Sequence, residues 1–210
     1  MIRILIADDH AIFRRGLRDI LLEEFADAQI GEVGDAETLL AEVRKQEWNI
    51  VITDLTMPGR SGLEAVHDIK QIHPKLPILI LSAHSDDHYA VRVLKAGASG
   101  YLMKESAADE LVTAVNKALL GKKYITPSVA EKLASSLDIS SNRLPHEILS
   151  DREFEVFKML ASGKSVSEIG NILFLSPSTI STYRSRILTK MQIKTNAGLT
   201  QYAIENKIIW

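Results

Sequence analysis

The stretch NIVITDLTMPGRSG, residues 49–62, sets a problem whose answer decides the fold. Ile50, Val51 and Ile52 form an apolar, mostly β-branched run, the pattern of a buried strand. That run delivers a carboxylate, Asp54, to the point where the strand must end, and Pro58, Gly59 and Gly62 then break regular structure. A strand that is apolar on both faces belongs to a sheet covered on both sides, which is the habit of parallel sheets.

The residues around it repeat the theme. IRILIA (2–7), QIGEVG (29–34), PILILS (77–82) and SGYLM (99–103) read as further strands. Between and after them, helices are predicted over 11–25, 36–46, 62–73, 86–96 and 107–120. Their apolar residues recur at helical spacing, as with Ile12, Leu17, Ile20 and Leu21, or Leu63, Val66, Ile69 and Ile72. Five strands alternating with five helices predict an α/β domain with a doubly wound parallel sheet, flavodoxin-like, in the order 2-1-3-4-5.

Residues 121–148 change character: ASSLDISSNRLPHE is rich in Ser, Asn and Pro and reads as a linker, with a short helix over 127–136. Beyond it the chain is helical only. Ser150 with Glu153 and Ser165 with Glu168 have capping-box spacing, Ser176 precedes Pro177 as an N-cap precedes a first-turn proline, and Asn196 is read as the cap of a last helix. Helices follow over 150–162, 166–173, 177–191 and 196–206. The division is 1–121, a linker 122–145, and a small all-α domain 146–210.

Composition narrows the function classes. The chain of 210 residues has no cysteine, which excludes disulfides, thiolate metal sites and a cysteine nucleophile. No apolar run approaches the roughly 20 residues of a membrane helix, and MIRILIADD is too short and too acidic for a signal peptide. No membrane association and a cytoplasmic location are expected. Net charge is −2, but its distribution is uneven. Residues 145–210 hold eight Lys and Arg against six Asp and Glu, while the other residues hold 17 against 21. No acid lies between Glu168 and Glu205.

In a sheet of order 2-1-3-4-5, ligands bind outside the carboxyl ends of strands one and three. Strand one ends in Asp8 and Asp9, strand three in Asp54, strand four in Ser82, and Lys104 follows strand five. Taken singly, each is an ordinary cap, turn former or surface charge. Taken together, three carboxylates on one rim repel one another unless a cation joins them. Mg²⁺ suits such oxygen ligands, a carboxylate can attack phosphorus, and an ammonium with a hydroxyl can hold a phosphoryl group.

The helix 177–191 has the opposite character. Ile180, Tyr183, Ile187, Leu188 and Met191 mark an apolar face, while Ser178, Ser181, Thr182, Ser185 and Thr189 face the other way, flanked by Arg186 and Lys190. A short, acid-free hydroxyl face suits close approach to a phosphate-lined groove.

At this point the motifs carry a resemblance. IADDH, DLTMPGRSGLE, SAH and AGASGYLMKE resemble the receiver domain of two-component response regulators, and LSDREFEVFKMLASGKSVSEIGNILFLSPSTISTYRSRILTKM resembles the LuxR-type helix-turn-helix of the NarL/FixJ class. The resemblance implies a phosphoprotein that regulates transcription. Asp54 would accept a phosphoryl group from a sensor histidine kinase. Asp9, Asp54 and the Thr56 carbonyl would hold Mg²⁺, with Asp8 assisting through water. Lys104 and Ser82 would contact the phosphate, and Tyr101 would switch rotamer. Residues 177–191 would be the recognition helix, with Ser181, Thr182 and Ser185 at base-reading positions and Arg186, Lys190 and Lys194 on phosphates of promoter DNA. The last helix, through Leu199, Tyr202 and Ala203, would form a homodimer once the protein is phosphorylated. RNA polymerase is a further candidate partner. No turnover enzyme is implied, only self-phosphorylation and self-dephosphorylation at Asp54.

The sequence departs from the family in places. Glu105 stands where many receivers place proline, Ser82 replaces the equally common threonine, and His84 lies close to the phosphate site. Ser181, Tyr183 and Arg184 replace the residues most usual at their positions. Arg184 falls near the apolar arc, with either a phosphate or an acidic group as its partner.

Overall fold

A computed structural model describes residues 1–57, 62–83, 87–138 and 144–209. The expected break in regular structure at Pro58 and Gly59, the helix start at 86, His84 and part of the linker lie outside the described residues. The chain divides into two compact units, Met1–Leu133 and Ala134–Trp210.

The first unit contains β1 (Arg3–Ala7), α1 (Ala11–Glu24), β2 (Gln29–Val33), α2 (Ala36–Lys45), β3 (Ile50–Asp54), α3 (Gly62–Ile72), β4 (Ile78–Ser82), α4 (Asp87–Lys95), β5 (Gly100–Met103) and α5 (Ala107–Leu119). The five strands are parallel in the order β2-β1-β3-β4-β5, as predicted. Alternate strand residues serve opposite cores, because side chains alternate across a strand. Leu5, Ala7, Val51, Ile78 and Ile80 pack on one face with residues of α2, α3 and α4. Ile4, Ile6, Ile50, Ile52, Leu79 and Leu81 pack on the other with α1 and α5. The stripe predicted for α1 holds only in part: Leu17 and Leu21 are buried, whereas Ile12 is 86% exposed.

The segment after α5 is not free chain throughout. Tyr124 bridges to Gly100 in parallel, and its N–H donates to the Ser99 carbonyl at 2.8 Å. Lys123 Nζ donates to the Ala98 carbonyl at 2.6 Å, and Val129 joins the first core. A helix, α6 (Pro127–Asp138), follows.

The second unit holds a 3₁₀ turn (Pro145–Ile148), α7 (Asp151–Ala161), α8 (Val166–Leu173), α9 (Pro177–Met191) and α10 (Asn196–Glu205). Both capping boxes form: Ser150 with Glu153, and Ser165 with Glu168. Ser176 caps α9 with Pro177 in its first turn. Thr195, not Asn196, caps α10, accepting the N–H of Gly198 at 3.1 Å. Buried residues of α7 to α10, among them Phe154, Phe157, Ile169, Ile180, Ile187 and Leu199, form the helical core. Ile172, on the same helix as buried Ile169 and Leu173, is 42% exposed.

Candidate functional site: an acidic rim and a hydroxyl helix

Strand register builds the first site. Ala7 pairs with Thr53, so Asp8 and Asp54 leave neighbouring strands side by side. Asp54 pairs with Leu81 and Ser82 with Met103, which brings Ser82 and Lys104 to the same rim. The Lys104 N–H donates to the Ser82 carbonyl at 2.7 Å, extending the ladder to its last residue.

The side chains converge. Lys104 Nζ donates to Asp54 Oδ2 at 2.8 Å and lies 2.6 Å from Asp8 Oδ2, an ion pair without hydrogen-bond alignment. The same ammonium sits 4.8 Å from the centre of the Phe13 ring, a cation–π contact from α1. The Thr56 N–H donates to Asp54 Oδ1 at 3.3 Å. Ser82 and Tyr101 are buried at their strand positions. Burial pushes the Asp54 carboxyl above its ordinary value; Lys104 opposes this and the Asp8 charge adds to it. For Lys104, burial disfavours the ammonium, but its bond to Asp54 and the charges of Asp54 and Asp8 prevail and raise its pKa.

Gly62 shows why the loop after β3 ends as it does. Its N–H donates to the Leu55 carbonyl at 2.7 Å. A Cβ there would fall on the Asp54 carbonyl oxygen, so only glycine lets α3 start this close to the site.

Neither Asp8 nor Asp9 caps α1 with its side chain. The N-cap is His10, whose own N–H donates to Asp8 Oδ1 at 2.8 Å. His10 also places Nδ1 2.7 Å from Asp9 Oδ1, and Arg14 donates to the Asp8 carbonyl. His10, Phe13 and Arg14 are the site's unforeseen members. The adjacency in ADDH was the only sequence signal for any of them.

Ligand atoms of Asp8, Asp9, His10 and Asp54 all lie within 4.8 Å of one another. The Asp8 side chain is fully buried, and its Oδ2 lacks an aligned donor. A hard divalent cation with retained waters fits this donor set, because it would satisfy that oxygen and the facing carboxylates together.

The second site is the outer face of α9. Ser181, Thr182, Ser185 and Arg186 are exposed on it, and Lys194 is exposed just beyond. Thr182 Oγ1 donates to the Ser178 carbonyl at 3.0 Å, which leaves its lone pairs as acceptors toward solvent. Ile180, Ile187 and Met191 turn inward. Arg184 has no acidic partner among the described residues: its Nε donates to Asn196 Oδ1 at 2.8 Å, tying α9 to α10. Lys190 pairs with Glu153 of α7 at 2.6 Å. Leu199 and Ala203 are fully buried, and the Tyr202 hydroxyl lies 2.9 Å from His146 Nδ1. Leu199 and Ala203 serve the domain's own core and are not its outer surface, while Tyr202 is half-buried. The open face of α10 carries Ala197, Gln201, Ile204 and Glu205.

A parallel sheet with an acid–lysine rim, joined to a helix-turn-helix unit, defines the class of DNA-binding response regulators. Residues 4–116 match the response regulator receiver domain, and residues 147–203 match the bacterial regulatory proteins of the luxR family. The chain is 34% identical over 207 residues to the response regulator UvrY of Escherichia coli (strain K12), covering 98% of this chain and 95% of UvrY. It is 32% identical to the response regulator GacA of Pseudomonas viridiflava, covering 100% and 98% of the two chains. Among solved structures, RcsB from Salmonella enterica serovar Typhimurium, bound to promoter rprA in the presence of the phosphomimetic BeF3-, matches with a TM-score of 0.65 and 27% identity. That match covers 96% of this chain and 98% of RcsB. The chain belongs to the response-regulator family, in its NarL/FixJ class.

Proposed function

We propose that this protein is a phosphorylation-switched transcription regulator, and that Asp54 accepts its phosphoryl group from a sensor histidine kinase. One observation carries the reading: the Lys104 ammonium, from the end of β5, contacts Asp54 and Asp8 from the ends of β3 and β1. In the transfer, an Asp54 carboxylate oxygen attacks phosphorus, a P–O bond forms, and the P–N bond to the kinase imidazole breaks with its electron pair staying on nitrogen. Lys104 then offers its charge to a phosphoryl oxygen in place of the carboxylate it holds, and the Ser82 hydroxyl donates to another. Tyr101, buried beside the α4 face of the sheet, changes rotamer and carries the change outward. Asp8, Asp9, Asp54 and the Thr56 carbonyl would hold Mg²⁺, which when bound supplies neutralisation of the phosphoryl charge.

The output is binding to double-stranded promoter DNA. Ser181, Thr182 and Ser185 present hydroxyls to base edges in the major groove, and Arg186 and Lys194 contact phosphates. The RcsB neighbour, bound to a promoter in the presence of BeF3-, supports this reading. Phosphorylation biases a two-state receiver toward dimerisation and exposure of α9. The dimer contact falls on the open face of α10 around Ile204, and two half-sites follow from two-fold symmetry. RNA polymerase is the partner such a promoter-bound dimer would meet. The protein works in the cytoplasm; among the described residues no helix is long and apolar enough to cross a membrane.

The test is beryllofluoride with Mg²⁺. Dimerisation and DNA affinity should rise in the native protein and stay unchanged in Asp54→Ala. No rise in either protein would identify a constitutive DNA binder. Sustained turnover of a phosphate ester would identify a phosphohydrolase, a reading that Thr56 opposes, since such enzymes carry a second acid at that position.

A further inference from the structure

The acid-free face of α9 was expected to use three cations on phosphates, and the structure separates one of them. Arg186 and Lys194 are exposed and have no ion-pair partner among the described residues. Lys190 is exposed as well, its side chain by 41%, but its Nζ lies 2.6 Å from Glu153 Oε2, and the Glu153 side chain is 4% exposed. That oxygen also accepts the Ser150 N–H at 2.8 Å, so one carboxylate caps α7 and grips the last turn of α9. Burial disfavours its charge, yet the bonds from Lys190 and Ser150 hold the Glu153 carboxyl below its ordinary value.

With Arg184 bonded to Asn196, α9 is tied at two points: its middle to α10, and its C-terminal turn to α7. The groups proposed to read bases are short hydroxyls, which have little reach of their own. Their contact with a base edge therefore depends on where the backbone of α9 is held. Long phosphate-binding side chains tolerate a shift of the helix; short hydroxyls do not.

We infer that Lys190 is a positioning residue: clamped to Glu153, it sets the pose of the recognition helix and contributes to discrimination among sequences, not to general phosphate affinity. The inference rests on the DNA-binding reading of α9.

The experiment uses the full chain with Mg²⁺ and beryllofluoride. Affinities are measured over a range of salt for a duplex selected from a random-sequence pool and for a scrambled duplex. The variants are Lys190→Met, Glu153→Gln, the two combined, and Arg186→Ala. Glutamine preserves the cap on α7, because a capping box accepts either residue. Lys190→Met and Glu153→Gln should each lower the ratio of selected to scrambled affinity about tenfold, the scale of one lost base contact. The combined variant should be no worse than either, since both act through one contact. All three should keep the native slope of log K against log salt, while Arg186→Ala lowers that slope by about 1. The inference is overturned if Lys190→Met lowers the slope while keeping the ratio, or if Glu153→Gln binds both duplexes more tightly through a freed ammonium. Should Lys190→Met unfold around its unpaired Glu153, the combined variant, which removes both charges, carries the same expectation. A native protein with no preference for any duplex would instead refute the DNA reading, and the inference with it.

Discussion

At the acidic rim the central carboxylates are hidden: the Asp8 and Asp54 side chains are 0% and 5% exposed and share one ammonium. On α9 the working groups stand in solvent, and the acid nearest to hand, Glu153, is buried behind the helix. The contrast follows from what each surface must meet. A carboxylate that takes a phosphoryl group works best where water is scarce and neighbouring charges are strong. A face that meets DNA must keep acids away from phosphates, and it gains from cations that solvent and salt can reach. Glu153 serves both conditions, since its charge is turned inward and cancelled by Lys190.

Removing the shared ammonium tests the buried side of this contrast with the largest effect. Lys104→Met leaves Asp8 and Asp54 facing each other and should cost about 3 kcal/mol in the urea unfolding of the receiver, the scale of a broken buried pair. Added Mg²⁺ should return more stability to this variant than to the native chain. An equal gain in both would remove the metal from the argument.

The exposed side is tested on α10. Ile204→Asp should weaken beryllofluoride-induced dimerisation, read by analytical ultracentrifugation, at least about tenfold, the cost of burying an unpaired charge. Tyr202→Phe should leave dimerisation intact and cost only about 1 kcal/mol, for the lost bond to His146. The reverse ranking would return the interface to the residues first expected from the sequence.

A smaller effect separates the two regions by pH. The Glu153 carboxyl lies below its ordinary value of 4.5 when folded. Its contribution to stability is therefore complete above about pH 4.5 and is lost as pH falls through the lowered folded value. Calorimetry of the full chain should show Glu153→Gln flattening the acid loss of the second unit. The smallest effect is spectroscopic. Tyr124, bonded to Glu110 at 2.8 Å and partly buried, has its phenol pushed up to about 12. The stability it lends is complete below pH 10 and falls between pH 10 and about 12, as the unfolded phenol ionises first. Ultraviolet titration of Tyr124→Phe should lose a phenol step at about 12.

Legibility differed between the regions for a physical reason. Helix starts were readable because a cap is a local bond: Ser150, Ser165 and Ser176 act where their spacing placed them. The rim was readable because a parallel sheet collects its strand ends on one side, so order alone brought Asp8, Asp54, Ser82 and Lys104 together. Faces of short helices were less readable. Ile12 and Ile172 share the period of buried neighbours yet lie in the open, while Leu199 and Ala203 were expected outside and are inside. Periodicity marks a stripe but does not say which partner covers it.

The sequence by itself determined the alternation of strands and helices, the caps at Ser150, Ser165 and Ser176, and the set of residues that meet at the rim of NIVITD. These depend on local bonds, on side-chain period and on strand order. Only the tertiary structure decided where each long cation goes: Lys104 to two carboxylates and Phe13, Arg184 to Asn196, and Lys190 to Glu153. A flexible charged side chain can reach many partners, and burial of the chosen one selects among them.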